Sequence, residues 1–102
     1  MEFSEFQRAN EKRCNEAFHP LDEWTETDWG CALAGEVGEL CNLLKKRRRG
    51  EFIDRDQVAD ELADVLAYAF LVGSKLGIDV GEATARKFNE VSERVYSDVF
   101  LR

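Results

Sequence analysis

Asp60-Glu61-Leu62-Ala63-Asp64-Val65-Leu66-Ala67-Tyr68-Ala69-Phe70-Leu71-Val72-Gly73 is the stretch that decides the fold. From Leu62 to Gly73 the one charged residue is Asp64, so the segment reads as a helix that is apolar almost all round and covered on several sides. Glu61, Asp64, Tyr68 and Leu71 share one stripe of that helix, at spacings that stack side chains one turn apart. A second acidic pair, Glu36 and Glu39, lies in Ala34-Gly35-Glu36-Val37-Gly38-Glu39-Leu40 with the same i, i+3 spacing. Packing the two faces together gathers four carboxylates in a small volume. Desolvation and mutual repulsion both oppose their ionisation there, and a divalent cation resolves the conflict. All four donors are hard oxygen, which suits Mg²⁺ or Mn²⁺. A ferritin-like di-iron site needs Glu-x-x-His, and neither pair has a histidine.

Outward from these pairs the chain reads as four helices, an all-α fold. The first covers Ser4 to Phe18, on the stripe Phe3, Phe6, Ala9, Cys14, Ala17 and Phe18, and His19-Pro20 breaks it. Leu21 to Glu26 is a loop, after which Thr25 or Thr27 caps a second helix from Asp28 to Arg48. Trp29, Leu33, Val37, Leu40 and Leu44 mark its apolar face, with Glu36 near the middle and Glu39 at the edge. Asp54 or Asp56 caps the third helix, which runs to Leu76 with Gly77 as its stop. The fourth starts near Asp79 or Gly81 and reaches Val95. Ser97 to Arg102 is a tail that docks through Val99, Phe100 and Leu101.

Length and composition describe one domain over residues 1–102. The chain is 44% hydrophobic and 34% charged, with one proline, so it is neither disordered nor of low complexity. A net charge of −7 speaks against non-specific nucleic-acid binding. Cys14, Cys31 and Cys41 are odd in number and contain no CxxC, which disfavours a disulfide framework or thiolate zinc and fits reduced thiols in a cytoplasmic protein. The N-terminus has no signal-peptide pattern, and the apolar run Val65–Gly73 is about half the roughly 20 residues that span a bilayer. Four short helices cannot cover so much apolar surface alone. A homo-oligomer is therefore expected, with a second subunit covering Phe70, Leu71 and Val72.

Other residues admit two roles each. Trp24 and Trp29 flank the start of the acidic helix, where they serve as core residues or as a platform for a flat base. Tyr68, one turn after Asp64, either reaches a metal-bound ligand or fills the core with its hydroxyl satisfied. His19, the lone histidine, reads as a solvated or capping loop residue. The run Lys45 to Arg49 complements the helix dipole and could draw in an anionic substrate.

Glu-x-x-Glu, 21 intervening residues and Glu-x-x-Asp together resemble the signature of the MazG-like, all-α nucleoside triphosphate pyrophosphohydrolases. That superfamily also contains dimeric dUTPases and dCTP pyrophosphatases. Leu33 to Leu40 resembles its first metal helix, Asp60 to Tyr68 its second, and Lys87 to Arg94 the polar motif of its closing helix. The resemblance spans Trp24 to Arg94. It implies a helical core assembled as a homodimer or homotetramer, with Mg²⁺ held by Glu36, Glu39, Glu61 and Asp64. It further implies hydrolysis of a nucleoside triphosphate between the α and β phosphates, in a role that clears unwanted nucleotides. Lys87 and Asn89 are the positions it assigns to phosphate and nucleotide. No Gly-rich P-loop is present, which excludes ATPases and GTPases of that class. The competing reading is a non-enzymatic helical interaction module whose acidic pairs bind a structural cation or a basic partner.

Overall fold

The computed structural model describes all 102 residues, folded as four α-helices with no strand. They are α1 (Phe3–Arg13), α2 (Glu26–Arg48), α3 (Arg55–Lys75) and α4 (Val80–Arg94). Local chemistry sets the ends of the two acidic helices. Thr25 Oγ1 accepts from the Asp28 N–H at 3.1 Å, and Asp28 Oδ2 accepts from the Thr25 N–H at 2.9 Å. Asp54 and Gln57 repeat this reciprocal box at the start of α3. Gly50 (φ 91°) and Gly77 (φ 67°) close the same helices, with the next residue's N–H returning to the carbonyls of Lys46 and Gly73. The short connection between α2 and α3 makes them an antiparallel hairpin, and their contact is the most extensive in the chain.

The core lies at one end of this hairpin. Cys14, Leu21, Trp29, Phe70 and Leu71 are its buried apolar residues. Phe3 and Phe6 of α1 meet Phe70 edge-on, with ring centroids 5.5 and 5.0 Å away. The buried Asn10 donates its amide to the Ala67 carbonyl at 2.8 Å, pinning α1 to α3. Gln7 bridges the turn into α4, donating to Ile78 O at 2.7 Å and accepting from Val80 N at 3.0 Å. At Gly73 a β-carbon would collide with Val80 Cγ2, so the turn closes on a residue with no side chain.

Two expectations change here. Phe70, Leu71 and Val72 find cover within the chain: Phe3 and Phe6 of α1 meet Phe70, Leu71 packs with Cys14, Leu21 and Trp29, and the half-buried Val72 lies against the same cluster. The first helix is not α-helical to Phe18 either. After Arg13 it widens into a π turn, Cys14–Phe18. Side chains there bond to the loop that follows: Cys14 Sγ donates to His19 O at 3.2 Å, and Asn15 Oδ1 accepts from Leu21 N at 2.6 Å. These loop bonds accompany the widened winding.

The other end of the hairpin is open. Val37 and Leu44 of α2 and Leu62 and Leu66 of α3 are 40 to 51% exposed. The Cα radius of gyration is 16.0 Å, against about 13 Å for a compact domain of 100 residues. The three cysteines are free, and no helix is long and apolar enough to cross a membrane.

Candidate metal centre and its adjoining cavity

Each helix of the hairpin carries one acidic side chain with a buried carboxylate oxygen, Glu36 on α2 and Glu61 on α3. Carboxylate oxygens of Glu36, Glu39 and Glu61 lie within 4.8 Å of one another. Glu36 and Glu61 are half-buried and Glu39 is exposed, so the cluster has a closed side and an open one. Glu36 Oε2 and Glu61 Oε2 are buried with no hydrogen-bond partner. An unmet buried acceptor costs about 1–3 kcal/mol, and more when it is charged. Burial first, and the Glu39 charge next, push both the Glu36 and the Glu61 carboxyl above the usual carboxylate range. Asp64, one turn further along α3, is not in the group of three, but its charge acts on both buried carboxyls. Two orphaned oxygens and a third carboxylate, all hard donors, fit Mg²⁺ or Mn²⁺.

Beside the cluster lies a cavity of about 350 Å³, bounded by the end of α1, the π turn and the Asp64–Leu71 stretch of α3. Asp64 and Tyr68 line it, together with Phe18 and Cys14. Burial raises the Tyr68 hydroxyl pKa, and the charges of Glu36 and Asp64 add to the shift, so Tyr68 is a neutral donor beside the acids.

The aromatic residues form one stack rather than separate features. Trp29 is fully buried, its Nε1 donating to Leu21 O at 3.0 Å, and Trp24 packs on it with centroids 4.6 Å apart. Tyr68 joins at 6.3 Å. His19 is not the solvated loop residue its position implied. Its ring lies 4.5 Å from Phe18, 4.3 Å from Trp24 and 5.2 Å from Trp29, and its Nε2 is buried without a partner. The signal available in sequence was the density of rings from Phe18 to Trp29. Of the two tryptophans, Trp24 is half-buried, whereas Trp29 is core.

The closing-helix positions sit apart from the three glutamates. Lys87 Nζ is 3.0 Å from Glu90 Oε1. Asn89 donates to Leu101 O and accepts from Leu101 N, both at 2.7 Å, and Ser92 Oγ donates to Val99 O at 2.6 Å. Tyr96, in the left-handed region at φ 58°, turns the chain so that the tail runs back along α4. The tail therefore docks through its main chain. Val99, Phe100 and Leu101 remain 45 to 60% exposed, contrary to the docking expected of their side chains.

A central helical hairpin that gathers hard-oxygen donors at mid-length defines an all-α class of protein organised around acid pairs on facing helices. Residues 25–96, from the N-cap of α2 to the residue that turns the tail, match the family model of the MazG nucleotide pyrophosphohydrolase domain. The chain belongs to that family. No curated protein and no solved structure matches it.

Proposed function

We propose that this protein hydrolyses (deoxy)nucleoside triphosphates between the α and β phosphates, yielding the monophosphate and pyrophosphate. The observation that carries the reading is the pair of buried, unpartnered oxygens on Glu36 and Glu61, two carboxylates that with Glu39 each place an oxygen within 4.8 Å of the others. Glu36, Glu39 and Glu61 would hold Mg²⁺ or Mn²⁺, with Asp64 completing the acidic set. The cation, when bound, supplies charge neutralisation at the phosphate oxygens and makes a nucleophilic water accessible near neutral pH.

The chain's own groups supply the rest. Glu39, the exposed member, would orient the attacking water and accept its proton through the carboxylate oxygen that the cation leaves unengaged. The water oxygen bonds to the α phosphorus, the bond from that phosphorus to the bridging oxygen breaks, and the electron pair leaves on pyrophosphate. Tyr68 stands at the cavity wall as a neutral hydrogen-bond donor, and Trp24 offers a face for the base. Lys87 and Asn89 belong to this reading only where assembly brings α4 of a second subunit to the cluster. The uncovered Val37, Leu44, Leu62 and Leu66 support a homodimer or homotetramer through the hairpin.

The test is direct. Purified protein incubated with each dNTP and MgCl₂ should release pyrophosphate from at least one of them, and EDTA should abolish the release. Orthophosphate as the product would exclude the assignment by placing cleavage at another phosphoanhydride bond, and no turnover across the panel would exclude it in favour of a non-catalytic cation site.

A further inference from the structure

Arg13 is the one cation lining the cavity that Asp64 and Tyr68 share. It stands one turn after Asn10 on α1, and Asn10 also lines the cavity. Because Asn10 is buried and bonded to Ala67 O, the register of this face of α1 against α3 is set, and with it the placement of Arg13. The π turn begins at the next residue and supplies Cys14 and Phe18 to the same wall.

The guanidinium has no acidic partner. The acid within reach of this turn, Glu16, is taken by Lys12, and Arg13 forms no ion pair or side-chain hydrogen bond of its own. An arginine in a wall shared with Asp64, yet bonded to no carboxylate, keeps its five donors for a ligand. A triphosphate brings more negative charge than the cluster's cation can balance, and the planar fork of arginine matches phosphate oxygens in pairs.

We infer that Arg13 is a phosphate-contact residue, donating to non-bridging oxygens of the triphosphate on the Asp64 side of the cluster. The inference rests on the proposed hydrolase reading. It assigns the cationic contact to α1, a helix whose Arg13 lies outside the family match, rather than to Lys87 of α4 alone.

Two measurements test it. In steady-state pyrophosphate release with MgCl₂, Arg13→Ala should lower kcat/KM by about tenfold or more, by a similar factor for every accepted base. Arg13→Lys should restore part of the loss. Arg8→Ala, which removes the same charge from the same helix away from this cavity, should stay within about twofold of the parent. In thermal melts, Mg²⁺ alone should shift Arg13→Ala as it shifts the parent, while the further shift from inorganic tripolyphosphate should be lost. Unchanged kcat/KM for Arg13→Ala, or a loss confined to one base, would overturn the phosphate assignment. If the parent protein releases no pyrophosphate, the hydrolase reading has failed, and the tripolyphosphate shift alone decides Arg13: retained in Arg13→Ala, it overturns the inference.

Discussion

The two halves of α3 do opposite things. Its C-terminal half carries Phe70, Leu71 and Gly73, all buried: Phe70 against α1, Leu71 against Cys14, Leu21 and Trp29, and Gly73 beside Val80, with Asn10 and Gln7 tying α1 to α3 and to the turn into α4. Its N-terminal half carries Glu61 with an unmet buried oxygen, Leu62 and Leu66 half in solvent, and Asp64 exposed. A helix in one continuous α conformation thus joins a region that stabilises the fold to one that opposes it. The stable half holds the backbone in place, which lets the acidic half keep charges together that water would otherwise separate. That division makes distinct predictions for the two halves.

The largest effect belongs to the buried half. Phe70→Ala removes the ring that Phe3 and Phe6 clasp, and should destabilise the protein by about 3–5 kcal/mol in urea unfolding. Since small domains are stable by only about 5–15 kcal/mol, this variant approaches the limit of folding. A loss under about 1 kcal/mol would mean that the aromatic end is not the anchor.

In the acidic half the expected loss is of activity and not of stability. Glu36→Gln keeps the shape and removes one charge from the cluster. Without metal it should melt at the parent temperature or above, while pyrophosphate release falls by roughly a hundredfold or more. Glu61→Gln should behave alike. A destabilised but fully active Glu36→Gln would erase the contrast between the halves.

Smaller, and of defined sign, is the pH dependence of the metal-free protein. Glu36 and Glu61 have raised pKa values in the folded state, so folding favours their protonated forms. Their contribution is present below the unfolded carboxylate pKa and is lost as pH rises through the raised folded values. Asp28, held down by its bonds to Thr25, and Glu90, held down by Lys87, act in the opposite sense. Urea unfolding in EDTA should therefore show stability falling above the ordinary carboxylate range, and the Glu36→Gln/Glu61→Gln double variant should flatten that fall. Millimolar Mg²⁺ should raise the parent melting temperature and leave the double variant unmoved.

The smallest effects are expected on α4, outside both halves. Glu90→Gln breaks exposed pairs with Lys87 and Arg86 and should leave the urea unfolding midpoint nearly unchanged, with activity retained. Asn89→Leu should release residues 97–102, seen as faster amide exchange at Leu101 with the melting temperature of the helices little changed.

Much of this was legible in the chain because it is local. A cap acts over three or four residues, so Thr25, Asp54, Gly50 and Gly77 could be read as boundaries, with the choice between neighbouring caps left to geometry. The acid pairs were legible for the same reason, since one helical turn carries both members. The sequence by itself thus determined an all-α chain with two acidic pairs, Glu36/Glu39 and Glu61/Asp64, on facing helices, while the closeness of Glu36, Glu39 and Glu61 without Asp64 was decided by the structure. Only the tertiary structure decided that α1 covers Phe70, that His19 stacks between Phe18 and two tryptophans, and that Asn89 clasps Leu101. It also decided that Arg13 shares a cavity with Asp64. Each of those pairings closes a loop or joins two helices. No periodicity carries such information, because partners distant in sequence are selected by the packing of whole elements and not by the residues beside them.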